Sequence, residues 1–486
     1  MRLRAFISSR RNDHLKTFIK GTSVNVRGVL LPVALVFTAL ATFIPAANAG
    51  DGAEQKNMFL IGHSDLNGHG DGGEGLALQQ RPDGHRILYI AHEERTVCLS
   101  IVDVTHPEAA VLLNQLPSPG PGITRCNSLG LSGNVLAVAN QTLNVGQGPA
   151  GMWVLDVSDL SRIQNAKSMH DLALSFFDTS GPNSRGVHWL WFVDGEFAHL
   201  SSGTRDSNPA NPKDDQFYLV VDLRDPRVPH EVGRWWLRGT QKTDDCLPVC
   251  LPTRHPIDDG YRVHNVQVYP DHPDRAYVGY MDGGQVILDI SGLAGVRAGS
   301  AKSFSPTLVS RLKFSPPYPA WTHTVQPLFG RGLAIVSDEA VMDKCADAPK
   351  LVWLVDIRDE TNPVVLGTAP LPAKAGDFCT KGGRFGAHNL HPNLPSSTSA
   401  QLKNTFVATF FNAGVRIYRL VDVPVPHAPP QIKEIGFFVP SAPDGNPTHT
   451  IQINHAIVDE KGLIYATDRI SGGLYILKYT GLEALD

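Results

Sequence analysis

Five histidines stand at matching places along the chain: His188, His264, His323, His388 and His455. Each sits at the start of an apolar run that reaches a turn, as in VHNVQVYPDHPDRAYVGY and THTVQPLFGRGLAIVS. His188 and His455 lie seven residues before a turn glycine (Gly195 and Gly462), as Cys126 does before Gly133. Aligning the units on these turns places Glu74 and Cys126 at the two remaining equivalent positions. Imidazoles gathered from distant segments point to a divalent transition metal. Several neutral rings buried without partners cost roughly 1–3 kcal/mol each, and an ion that takes their lone pairs removes that cost. Histidine ligation suits copper, iron or zinc, with copper slightly favoured for redox chemistry, whereas calcium would want carboxylates. The plainer alternative is a repeat consensus in which each ring bonds within its own unit.

Carboxylates follow on the returning strands. An antiparallel partner ends on the face where its neighbour begins, so the ends of these strands should reach the same mouth. Asp338 and Glu339 are the leading candidates for a general base or for groups that orient imidazoles, with Glu93 and Asp468 behind them. Tyr280-Met281-Asp282 ends a strand in the same way.

The elements that must position these side chains form a repeat. A short β-branched run ending in Asp recurs as SIVDV, WVLDV, LVVDL, VILDI and WLVDI, at Asp103, Asp156, Asp222, Asp289 and Asp356. Degenerate copies follow at Arg419 and Lys478, in steps of 53 to 67 residues. With two apolar strands upstream and a polar, Pro-containing stretch downstream, each unit reads as four strands. Antiparallel units of this kind repeated around an axis make a β-propeller. The 45 Gly and 36 Pro among 486 residues fit its many turns. The expected fold is all-β, a seven-bladed propeller over 50–486. The spare apolar run Asn57-Met58-Phe59-Leu60-Ile61 should complete the last blade and hide both sheet edges.

The segments LSIVDV, FYLVVDLRDP and LVWLVDIRDETNP resemble the LVIVD-repeat family of bacterial secreted propellers. The resemblance implies the fold, and an exported location, more than any activity.

Residues 1–49 read as an export signal. A basic stretch precedes the apolar run VLLPVALVFTALATFI, and Ala47-Asn48-Ala49 offers a small-x-small cleavage site. A periplasmic or secreted location follows, and no later segment is apolar enough to span a bilayer. The first 49 residues hold seven Lys or Arg against one acid, so the rest is more acidic than the whole-chain charge of −4. That balance gives no electrostatic reason to bind nucleic acid. Six cysteines in an exported chain default to disulfides; Cys345 with Cys379 can join two loops, and Cys246 with Cys250 can close a small one.

Three functions remain open on this reading. The leading one is a metal-dependent oxidoreductase acting on a small-molecule substrate in the central channel. The others are a non-catalytic propeller that binds a protein or surface-polymer partner, and a metal-dependent hydrolase or lyase.

Overall fold

The β-branched runs pair into seven antiparallel sheets, each the blade of a propeller. The computed structural model describes residues 52–245, 258–299, 303–314, 318–373 and 375–486. The export-signal segment and the Cys246–Cys250 loop lie outside the described residues.

Blade one comprises Gly72–Gln80, Arg86–His92, Val97–Asp103 and Val111–Pro117, in spatial order. Blades three, four and five repeat that plan from innermost strands Val187–Trp191, Val263–Tyr269 and Thr322–Leu328. Blade two has a broken inner strand, Thr124–Arg125 followed by Leu129–Ser132, both paired with Val135–Thr142. In blade six the inner segment around His388 is irregular and meets strand Thr405–Thr409 through the bridge Leu390–Ala408.

The recurring aspartate has a local cause. Asp103, Asp156, Asp222, Asp289 and Asp356 each end the third strand of a blade. The Oδ1 of each accepts the backbone N–H two residues on at 2.8–3.0 Å. This Asx turn starts the outward connection without needing glycine. Where the aspartate is missing, at Arg419 and Lys478, the strand survives because inter-blade packing holds it.

Ring closure follows the expected route and goes further. Met58–Ser64 pairs antiparallel with Leu474–Tyr479 as the outer strand of blade seven. The preceding Glu54–Lys56 pairs with Gln431–Val439 of blade six, so one N-terminal segment clasps two blades. Between blades the sheets pack through apolar clusters, for example Tyr218, Val220, Val263, Val266 and Tyr280 across blades three and four. Full burial of such side chains contributes about 1.5–3 kcal/mol each. Among the described residues, no helix is long and apolar enough to cross a membrane.

Two disulfides are present among the described residues. Cys345–Cys379 joins the loop after Leu333–Asp338 to the helix Ala375–Lys381. Cys98–Cys126 joins blade one to the break in blade two's inner strand, which removes Cys126 from the axial set.

Cys98 and Cys126 are 28 residues apart. On the loop-entropy account a link of that span stabilises by about 3–4 kcal/mol. The double variant Cys98→Ala/Cys126→Ala should lose about that much in denaturant unfolding while keeping its far-UV signature. An unchanged midpoint would show that the bond is not formed in solution.

Candidate metal centre

The innermost strands carry a repeated defect near their start. The ladder between first and second strands slips between Val187 and Trp189, between Val263 and Val266, and between Thr322 and Thr324. It slips likewise between Gly72 and Leu76 and between Ile453 and His455. The residues released are His188, His264 with Asn265, His323, Glu74 with its flanking glycines, and Asn454. A bulge takes a residue out of the alternation and re-aims its side chain. Here that direction is the propeller axis, where four histidines and Glu74 meet.

Hydrogen bonds to the outer ring nitrogens set the tautomers. His188 Nδ1 lies 3.0 Å from Gln141 Oε1, which also accepts from Arg125 Nε and is thereby fixed as the oxygen. His264 Nδ1 lies 2.8 Å from Asn265 Oδ1, whose amide nitrogen donates to Thr324 Oγ1 and Asn389 Oδ1. His388 Nδ1 donates to the Asn454 carbonyl at 2.8 Å. In all three rings the nearest partner of Nδ1 is an oxygen acceptor. It stands closer than the Arg125 and Asn389 donors, which approach His188 and His388 at 3.4 and 3.2 Å. That favours the proton on Nδ1 and leaves Nε2 as a lone pair facing inward. His323 is held by Thr324 Oγ1 at 2.7 Å from its Nδ1. His188 Nε2 and His264 Nε2 lie 2.9 Å apart. Two lone pairs at that distance repel unless a proton or a cation stands between them.

Burial disfavours the proton. Desolvation, followed by the neighbouring ring, pushes His264 down to about 4 and His188 and His388 well below the ordinary range. Glu74 lies among these rings, with Oε2 3.2 Å from His323 Nε2 and Oε1 3.7 Å from His188 Nε2. Burial works against its carboxylate, and positive charge placed on the facing His264, His323 and His388 rings is what holds it well below the usual range. Asn127 and Asn389 donate to its two oxygens at 2.9 and 3.3 Å. Glu339 closes the other side, with Oε2 3.5 Å from His264 Nε2. Ligand atoms about 2.1 Å from one ion and 90–110° apart stand about 3.0–3.4 Å from each other. Neighbouring atoms of the cluster stand 2.9–4.0 Å apart, around and somewhat beyond that spacing, and Glu74, His264 and His323, or His323, Glu339 and His388, can each face one ion.

Glu74 needs its glycines. A Cβ on Gly73 would come within 2.6 Å of the Asn127 carbonyl, and one on Gly75 would collide with the Leu129 amide. The GDGGEG stretch is what lets blade one press its bulge against blade two.

Other expected site residues fall elsewhere. His455 starts the regular strand one residue after the bulge, because the order His-x of blades three to six is reversed here to Asn454-His455. Its ring borders a second chamber of about 270 Å³ with Trp189, Trp191, Leu76 and Leu78, and Glu74 lies between the two. Glu93 is on the upper wall, where Oε1 accepts from both Arg125 and Arg469 at 2.6 Å. Asp338 Oδ2 accepts from the Leu351 amide and Trp353 Nε1 at 3.0 Å. Asp468 caps a loop, accepting from Gln452, Ile470, Ser471 and Gly472 amides. Of the four expected catalytic acids, Glu339 alone has an oxygen close to the bare imidazole nitrogens. Sequence reasoning leaves Glu74 out of the candidate ligands and misses Asn127 as its support. Glu74 sits at the aligned position, so its signal is present in the repeat.

No protein-family model and no curated sequence matches the chain. Among solved structures it is similar to the Cps50 (Swd1) β-propeller domain of Myceliophteria thermophila, at 11% identity and a TM-score of 0.47. That match covers 84% of this chain and 97% of that one. It is also similar to a chain of the Mitotic Checkpoint Complex, at 12% identity and a TM-score of 0.44, over 87% and 94% respectively.

Asp282 shows how the upper loops respond to pH. Burial, with Asp258 and Asp259 adding to it, pushes its carboxyl up to about 7, although the Gly260 amide donates to it at 2.6 Å. The folded state thus holds a proton that the unfolded chain releases near 4. The stability tied to that proton is full at low pH and is lost as pH rises through 7. Asp282→Asn, which stays neutral, should therefore gain on the wild type from pH 4 to pH 8. The gain is about 1.4 kcal/mol for every tenfold by which folding tightens the hold on the proton. Urea midpoints across that range check this, and a constant difference between the two proteins would refute it.

Proposed function

We propose that this protein is an exported, LVIVD-type β-propeller metalloprotein whose axial centre takes a divalent transition ion for redox chemistry on a small molecule. The observation that carries this is the set of inward Nε2 lone pairs on His188, His264 and His388, each fixed by an oxygen acceptor on Nδ1. Metal-ligating histidines are oriented in that way, by a carbonyl or carboxylate on the other ring nitrogen. His188, His264, His323 and His388 would hold the ion together with Glu74, with Glu339 beside them as the carboxylate left free of the ion.

When bound, the ion would supply one-electron chemistry if copper or iron, or Lewis acidity if zinc. The two carboxylates bring iron and zinc level with copper, which histidines alone had slightly favoured. The chain's own residues do the rest. Gln141, Asn265, Thr324 and the Asn454 carbonyl lock the rings, while Asn127 and Asn389 hold Glu74. Glu339, tied to Arg384 at 3.1 Å, sits where a proton would be taken from or returned to a substrate.

Elemental analysis of the purified full-length protein after loading should find about one transition ion per chain. His264→Ala/His323→Ala should abolish uptake with the circular dichroism spectrum unchanged, and Glu74→Gln should weaken it at least tenfold. Copper or iron supports the redox reading, zinc moves it to hydrolase or lyase chemistry with Glu339 as base, and no metal leaves the partner-binding propeller.

A further inference from the structure

The cavity directly above the histidines, about 250 Å³, has His188 and His264 at its floor and five arginines in its wall: Arg125, Arg185, Arg262, Arg384 and Arg469. They come from the loops and strand ends of blades two, three, four, six and seven, and no local motif joins them. Tertiary folding alone assembles this ring.

The arginines are paired in a way that holds them without using them up. Arg125 Nη1 and Arg469 Nη2 share a single oxygen, Glu93 Oε1, at 2.6 Å each. Arg185 Nε bonds Asp215 Oδ2 at 2.5 Å, and Arg262 Nη1 lies 3.5 Å from the other Asp215 oxygen while its Nη2 bonds Asp259. Arg384 Nη1 bonds Glu339 Oε1 at 3.1 Å. Phe411 supports two of them from beneath, with the Arg384 and Arg469 guanidinium carbons 5.5 and 5.6 Å from its ring centre. A guanidinium carries five N–H donors in a planar fork, so each wall arginine keeps donors beyond those engaged here. Glu93, Asp215, Asp259 and Glu339 pair with them, and Glu74 at the floor brings the count to five negative charges against five positive ones. Burial, with neighbouring arginines adding to it, pushes Arg125 and Arg384 below the ordinary arginine range, whereas Arg262, despite its burial, is held above it by Asp215 and Asp259.

A concave, half-buried ring of forks with N–H donors left over suits a carboxylate or other oxyanion, which takes charge-assisted and bidentate bonds. We infer that this vestibule binds a small anionic molecule, carrying a carboxylate or comparable oxyanion group, and presents it to the axial centre. Calling that molecule the substrate rests on the metal reading above; the binding itself does not.

Titration calorimetry on the full chain, chelator-treated and metal-loaded, separates the two ideas, with sulfate and acetate as probes and neutral acetamide as control. Sulfate should bind once per chain with a Kd near or below about 1 mM, acetate should compete with it, and acetamide should give no heat. Arg384→Met and Arg469→Met should each weaken sulfate at least tenfold at unchanged metal stoichiometry. The charge-keeping Arg384→Lys and Arg469→Lys should lose less, and thermal melts identify any variant that unfolds. Sulfate binding by a protein that takes up no metal supports the vestibule and refutes the metal reading. A metal-loaded protein that distinguishes neither anion from acetamide, or an Arg384→Met/Arg469→Met variant with undiminished sulfate affinity, overturns the vestibule.

Discussion

Four imidazoles and a carboxylate converge on the propeller axis, and neighbouring structure is arranged to hold them there. Each Nδ1 is satisfied by a group from its own or an adjacent blade, so the Nε2 atoms have nowhere to turn but inward. The repulsion between bare lone pairs and the isolation of the buried Glu74 charge are unfavourable terms for a protein interior. They persist because the seven blades, closed by Met58–Ser64 and packed through wide apolar faces, supply far more stabilisation than the centre costs.

The bulge converts a scaffold into a site. A regular strand beside the axis alternates its side chains between neighbouring blades. In the inner strands of blades one, three, four, five and seven, extra residues break that alternation at a fixed height and turn a side chain toward the centre. Seven strands converge at this height, so small residues are needed between them, and Gly73 and Gly75 meet that need against blade two. The two ends of the channel are then free to differ. Above the bulges the wall is built of arginine and carboxylate; below them it is Trp189, Trp191, Leu76 and Leu78 around His455.

Much of this architecture is legible in the sequence, because it is written in local rules repeated many times. The Asp-terminated runs mark third strands, since each aspartate caps its own turn. The closing strand is legible as an apolar run without a blade of its own. The site is legible only in part. His188, His264 and His323 fall together because each occupies its bulge, and His388 joins them from the irregular inner segment of blade six. His455 does not, since a one-residue difference reverses inside and outside on a strand and only the pairing register shows which residue is released. Cys126 likewise reads as axial until its partner Cys98 is known, and Asn127 takes the inward place.

By itself the sequence determines the blade count, the strand order and the height at which histidine recurs, since these follow from periodic burial and turn chemistry within each unit. Tertiary structure decides which of those side chains meet. It selects Asn127 over Cys126 and Asn454 over His455 at the axis. It also gathers five arginines, unrelated in sequence, into one wall. Their neighbours are set by the closure of the ring and by bulge register, which depend on contacts between blades far apart along the chain.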